Sequence, residues 1–419
     1  MSTSPTPEAW IFDYVRTPRG KASAAGGLHS HTAIDLVVHL MTDLRARGLP
    51  VTEVDDVVLG CASQLDEQGS NPARIAALLA GWGERVPGLM VNRFCASGID
   101  AVAVAAARVK AGDADLVVAG GVESVSRVPI FSDRGPLWTD PAVVEGIGSI
   151  HMGVAADLNA ALEGFSREQL DAYGARSQHR AAEAWAAGRF AAEVVPVPRG
   201  DGEPLGTDEL VRPTTSPATL AALAPAFAGL GADGQDALAL RSFPELGAIE
   251  HLHTVGTAPA MADGAALLVV GTWEAGRRAG LRPRARIAAA SSTAGHPVRM
   301  LTAGQDAVQA VLDRSGVTPA EVACFEFAEA FAALCLRFER DMGIDSAAGD
   351  DRMNPNGGTM AMGHAFGATG AIMVGGCVEE LQRRDGRWGV GAVSGAAGLG
   401  SAILVERPDG ADSTGSWLG

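Results

Sequence analysis

Apolar positions along the chain fall into two recurring signatures: short runs without polar alternation, and longer stretches with helical spacing. The run AWIFDYV at 9–15 predicts a strand. TAIDLVVHLMTDLRARG at 32–48 puts Ile34, Val37, Val38, Met41 and Leu44 on one face and closes on Gly48, which predicts a helix. The same reading gives a strand at 56–60, a helix at 72–81, a strand at 89–92, a helix at 97–112 and a strand at 115–120. Strands without polar alternation are covered on both faces, so the pattern predicts an α/β architecture with largely parallel pairing.

From residue 284 the same order returns: strand 285–291, helix 307–316, strand 322–327, helix 331–343, strand 352–355, helix 367–384, then strands 388–394 and 401–407. GAALLVVG at 264–271 supplies the matching last strand of the first copy. A duplicated α/β unit follows. One half comprises 1–121 plus 263–283 and the other 284–407, with an inserted cap or loop domain at 122–262. That insert carries a helical stretch at 167–188 and a turn-rich segment at 199–217, and caps over α/β sheets often build binding sites. The polar tail 408–419 is expected to be mobile.

Composition narrows the function. The 419 residues suit two or three domains at about 150 residues each. With 33 Lys+Arg against 49 Asp+Glu, the net charge of −16 argues against partners such as nucleic acid or an anionic membrane. The five cysteines are far apart and form no CxxC pair, so neither a zinc site nor a disulfide framework is expected. The N-terminal segment has no basic and apolar leader pattern, and no long apolar span follows, so a cytoplasmic protein without membrane insertion is expected.

Two constellations carry chemistry. In NRFCASGIDAV, Cys95 lies in the turn between a short strand and a helix opening near Ser97. Helix-terminal N–H groups there are expected to lower its pKa and favour thiolate, although a buried inert cysteine fits the same context. In MNPNGGTMAMGHAFGATG, His364 precedes the third helix of the second copy, the position Cys95 holds in the first. Pseudo-twofold packing of the two copies would bring them together as a Cys–His pair. GLGADG at 229–234 follows no predicted strand, so a dinucleotide site is not expected, and His29/His31 and His251/His253 lack the further ligands of a metal site. Glu329 is either an extra polar group in the site or a buried structural carboxylate.

The chain resembles the thiolase superfamily over about residues 10–405, on VRTPRGK at 15–21, NPAR at 71–74, NRFCASG at 92–98, AGGVESVSRVP at 119–129, HMG at 151–153, RP…PAF at 212–227, DGAA at 263–266, EAFA at 329–332 and NPNGG…MGH at 354–364. The resemblance implies two αβαβα halves in five layers, an inserted loop domain, and a homodimer or homotetramer, with a hetero-oligomer as an alternative assembly. It implies coenzyme A and acyl-CoA as substrates and no permanently bound cofactor. Cys95 matches the acylated nucleophile and His364 its activating base, while the Cys95 backbone N–H would be half of an oxyanion hole. Arg212 and Thr219 match loop-domain positions near coenzyme A. Met152 borders the acyl pocket, and Ala328 and Ala396 stand at positions facing the substrate.

The departures from the family pattern are specific. Ala328 stands where the family has the asparagine of an oxyanion hole, and Ser394 where it has a second, acid/base cysteine in Cys-x-Gly-Gly-Gly, here Ser394-Gly395-Ala396-Ala397-Gly398. Ala365 replaces a proline, Pro259 a common serine, and Ala221-Ala222-Leu223-Ala224-Pro225 a basic stretch. A lost oxyanion donor costs about 10²–10³ in kcat and a lost acid/base about 10²–10⁴. Acyl transfer through Cys95 with impaired or altered Claisen chemistry is therefore expected, onto an acceptor already nucleophilic such as an activated carbanion, amine, phenol or water. The alternative is a catalytically silent subunit that binds acyl-CoA or scaffolds a partner.

Overall fold

The computed structural model describes residues 7–200 and 202–408, so apart from Pro408 the expected mobile tail lies outside the described residues. The first half runs β1 (Trp10–Arg16), α1 (Ala33–Ala46), β2 (Asp56–Gly60), α2 (Pro72–Leu79), β3 (Leu89–Val91), α3 (Ser97–Ala111) and β4 (Leu116–Glu123). The chain then leaves the sheet, forms among others α4 (Met152–Glu163), α5 (Arg167–Ala186) and α6 (Pro217–Ala221), and returns as β5 (Ala262–Gly271). The second half runs β6 (Ala285–Ala294), α7 (Ala303–Ser315), β7 (Val322–Phe327), α8 (Ala332–Asp341), α9 (Phe366–Arg384), β8 (Trp388–Ser394) and β9 (Leu399–Glu406).

Strands join in the order β7-β8-β9-β6-β1-β5-β4-β2-β3. Reading outward from the central β1–β6 pair gives first, last, next-to-last and second strand on both sides, the duplication that the repeated pattern predicts. Helices α3 and α9 form the middle layer, packed in one apolar cluster with both sets of strands. α1 and α2 cover one outer face, and α7 and α8 the other. The result is the α-β-α-β-α stack of a duplicated α/β fold.

Two expectations are corrected. Pairing is mixed rather than largely parallel: β2 is parallel to β3 and β4, and β7 to β8, whereas β1–β5, β4–β5, β8–β9, β9–β6 and β1–β6 are antiparallel. The last strand of each half is reached by the insert or by the short turn 395–398, neither of which needs a helical crossover. The expected strand at 352–355 is reduced to one parallel bridge, Phe325 to Met353, where Asn354 has positive φ and turns the chain into the glycine-rich loop. Apolar runs still report burial on both faces, because helices cover both sides whatever the strand direction.

Candidate active site

The two central helices meet at their N-termini through glycine. A Cβ on Gly98 of α3 would lie 2.6 Å from the Gly367 carbonyl, and one on Gly370 of α9 would lie 2.3 Å from the Ile99 nitrogen. Only hydrogen side chains permit that approach. It brings the turn before α3, with Cys95, beside the turn before α9, with His364.

The Cys95 turn is built by its neighbours. Asn92 accepts from the Phe94 amide at 2.9 Å and donates to the Ala62 carbonyl at 3.0 Å, while Phe94 takes a left-handed φ of 49°. Ser97 Oγ donates to the Phe94 carbonyl at 2.6 Å and accepts from the Arg93 amide at 2.8 Å. Arg93 pairs with Asp100, whose other oxygen accepts from Ser401 Oγ at 2.7 Å and Ser292 Oγ at 3.1 Å, so the turn is tied to the second half. On the other side the His364 amide donates to the Ala260 carbonyl at 2.7 Å and the Ala262 amide to the His364 carbonyl at 3.0 Å. His364 Nδ1 lies 2.8 Å from Thr369 Oγ1, one turn into α9.

Cys95, His364 and Ser394 line one cavity of about 740 Å³, together with Met152, Arg212, Leu220, Pro259, Ala330 and Phe331. Met152 heads α4, and Arg212 is the one arginine among the lining residues. Ser394 Oγ accepts the Gly304 amide at 3.0 Å, and a Cβ on Gly304 would come within 2.5 Å of that oxygen. Ala396 lines a small neighbouring cleft of about 30 Å³ with Cys95 and Met152.

Two expected positions fall elsewhere. Ala328 ends in the core, its amide donating to the Ala392 carbonyl at 2.9 Å, and the cavity wall is formed two and three residues on, by Ala330 and Phe331. Thr219 closes a capping box with Ser216 on α6, and its neighbour Leu220 faces the cavity instead. Glu329 resolves as a structural carboxylate: it accepts from Tyr173 Oη at 2.9 Å, Ser177 Oγ at 2.7 Å and the Met360 amide at 2.9 Å, fastening α5 to the glycine-rich loop. His251 and His253 both turn Nδ1 to Asp157, at 2.8 and 2.7 Å, and His251 Nε2 reaches Asp236 at 3.1 Å.

The expected thiolate is also corrected. Burial, with Glu123 nearby, pushes the Cys95 thiol up to about 12 against the weaker pull of its own backbone N–H. Burial, then the charge of Arg19, lowers His364 to about 3. Both groups are therefore neutral at rest in the free protein, a thiol beside an imidazole.

Sequence reasoning missed Glu123, at the end of β4. Its carboxylate accepts from the amides of Ala62 at 2.8 Å, Ser63 at 3.1 Å and Gly367 at 2.9 Å, and from Gln68 Nε2 at 3.0 Å. One side chain thus joins the first half to the N-terminus of α9. The only signal was an acidic residue ending an apolar strand in AGGVES, which says nothing of its partners.

Among the described residues no group of three or more His, Cys, Asp or Glu is arranged to hold a metal, and no helix is long and apolar enough to cross a membrane. Sequence models of two domains match the chain: Thiolase, N-terminal domain, over residues 9–233, and Thiolase, C-terminal domain, over 281–407. The chain is 36% identical to the 3-oxoadipyl-CoA/3-oxo-5,6-dehydrosuberyl-CoA thiolase of Escherichia coli (strain K12), over 96% of this chain and 99% of that one. It is also 36% identical to a 3-ketoacyl-CoA thiolase of Erwinia tasmaniensis, over 95% and 98% respectively. The crystal structure of the Bacillus anthracis acetyl-CoA acetyltransferase superposes with a TM-score of 0.82 at 29% identity, covering 96% of this chain and 99% of that one. With both halves matched in order around the shared cavity, the chain belongs to the thiolase family.

Proposed function

We propose that the protein is an acyl-CoA C-acyltransferase that works through an acyl-Cys95 intermediate, with His364 as base and carbon–carbon bond chemistry that is impaired or altered. The observation that carries this reading is the common cavity of Cys95 and His364, both neutral at rest. In the tautomer whose Nδ1–H donates to Thr369 Oγ1, Nε2 is the free acceptor on the imidazole. The Cys95 S–H proton moves to Nε2 as sulfur attacks the thioester carbonyl; the C–S bond to coenzyme A then breaks, and its sulfur leaves with that proton. The developing oxyanion is met by the Cys95 backbone N–H at the start of α3.

The expected departures from the family pattern bear on the second step. A serine hydroxyl at 394 does not cycle through an anion near neutral pH as a thiol with pKa about 8.5 can. Its oxygen is also already engaged by the Gly304 amide. Proton abstraction from a second acyl-CoA therefore lacks a strong base, and an acceptor that arrives nucleophilic suits the site better. The same reading takes 122–262 as the inserted region supplying Met152 and Arg212, acyl-CoA as the ligand, and a homo-oligomer as the working form.

The test is intact-protein mass spectrometry after incubation with acetyl-CoA and longer or carboxylated acyl-CoAs, beside a thiolase control. The expected result is one acyl group on Cys95, absent from Cys95→Ala, with thiolysis of acetoacetyl-CoA at least about 10²-fold below the control. No acylation with any donor would favour the silent-subunit alternative. Thiolysis equal to the control, lost in Cys95→Ala, would remove the impairment.

A further inference from the structure

Bonded to the residue just before His364 is an arginine that the mechanism does not use. Arg19 is 2% exposed, in the segment after β1. Its Nη1 donates to the Gly363 carbonyl at 3.0 Å, and Gly363, at a φ of 102°, is the residue that turns the chain into His364. Its backbone is held as well, the amide donating to Asp208 Oδ1 at 2.7 Å and the carbonyl accepting from Glu209 at 3.0 Å. The segment after β1, the insert and the glycine-rich loop of the second half are thus joined at one side chain.

The charge of that side chain is only partly neutralised. Asp208 is taken by Arg16, which reaches its two oxygens at 2.9 and 3.2 Å, and Arg16 also holds Glu193 at 2.6 Å. Arg19 Nε lies 3.9 Å from Asp208 Oδ1 and is buried without a hydrogen-bond partner. Tyr14, Arg16, Glu193 and Glu326 also interact with Arg19, and Arg189, Glu379, Glu380 and Arg383 line the same cleft. Around His364 stand the Thr369 hydroxyl and the Phe366 ring at 4.6 Å, Cys95 and Ser394 line the same cavity, and Glu123 accepts from the Gly367 amide. Arg16 stands beside Arg19 and Arg212 lines the cavity, and of the three Arg19 is the one whose charge bears on His364.

We propose that Arg19 is a positioning residue for His364, holding the loop through the Gly363 carbonyl and keeping a buried positive charge close to the imidazole. A like charge disfavours imidazolium. That is the sign of the second cause, after burial, that lowers His364. The consequence for acyl transfer rests on the reading of His364 as base, because an imidazole kept neutral has Nε2 free for the Cys95 proton at any physiological pH. The charge effect itself can be measured without turnover.

The experiment is an NMR titration of imidazole nitrogens in the full-length protein, with the His364 signal assigned by its loss in His364→Asn. The wild-type ring is expected to stay neutral down to about pH 4. Arg19→Met and Arg19→Gln should take up the proton on the order of one pH unit sooner, and Arg19→Lys should stay with the wild type. The glutamine retains a donor for the Gly363 carbonyl, so a shift there belongs to the charge and not to the contact. Titration of the uncharged variants together with the wild type overturns the proposal. So does a wild-type His364 that titrates near its ordinary 6.5, a result obtained even if neither uncharged variant folds. Absence of acyl-Cys95 in the mass measurement would instead count against the proposed function alone.

Discussion

Ala397 occupies a backbone conformation that its side chain disfavours. Its φ is 55° and its ψ 25°, in the turn between β8 and β9. A Cβ in the left-handed region costs roughly 1–2 kcal/mol, against about 0.4–1 kcal/mol for the extra freedom that glycine gives the unfolded chain. Ala397→Gly is therefore expected to stabilise the protein by about 0.5–1 kcal/mol, read as a higher denaturant midpoint at unchanged slope. A loss of stability would mean that the Ala397 methyl group contributes more by packing than its backbone strain costs. At this scale the sequence was partly legible. Cys95 and His364 were both singled out from their positions before equivalent helices, and they line one cavity. Their protonation was not, because the helix-terminus argument considers one favourable group, whereas burial acts on every atom around the sulfur. Arg19 was equally hidden, since no local pattern says that an arginine after a strand will be buried against residue 363.

Between elements, Glu123 holds the two halves in register at the place where the chemistry sits. Glu123→Ala would leave the amides of Ala62, Ser63 and Gly367 and the side chain of Gln68 without their acceptor in a buried setting. Each orphaned donor costs about 1–3 kcal/mol, reduced by whatever water enters the hole. A total loss of about 3–5 kcal/mol is expected, with hydrogen exchange fastest at the start of α9, and thermal melting checks the size. A change below about 1 kcal/mol would show that the packing of α3 on α9 holds the junction without the carboxylate. Element order and duplication were legible because hydrophobic runs and helical spacing are local signals. Strand direction was not, since β5 and β9 read as the same apolar runs whether parallel or antiparallel. Nor was the reduction of 352–355 to one bridge, which depends on where Asn354 turns the chain. Ala328 and Thr219, which similarity assigns to the site, are not among the residues that line the cavity: Ala328 packs in the core, and Thr219 caps its own helix.

Seen whole, the molecule has one edge that asks for a partner. β3 ends the sheet at Leu89–Val91, and α2 packs beside it. Leu89 is 40% exposed, and Leu78 and Leu79 at the end of α2 are 47% and 64% exposed. An unpaired strand flanked by apolar side chains is a template for association, and a second copy of this chain would satisfy both the strand and the leucines. β3 leads directly into the Asn92–Ala96 turn, so pairing there would also brace the nucleophile. The opposing term is charge: −16 on each copy repels, and salt screens that repulsion with a Debye length of about 8 Å at physiological ionic strength. Sedimentation velocity is expected to find a dimer or a multiple of it, tightening as salt is raised. Leu79→Glu combined with Leu89→Lys should release monomers with unchanged far-ultraviolet circular dichroism and slower acylation of Cys95. A monomeric wild type at micromolar concentration and high salt would place the active turn outside any such interface. Dimers that persist in the double variant would place the contact on another face, leaving the edge strand to be protected by its shortness alone.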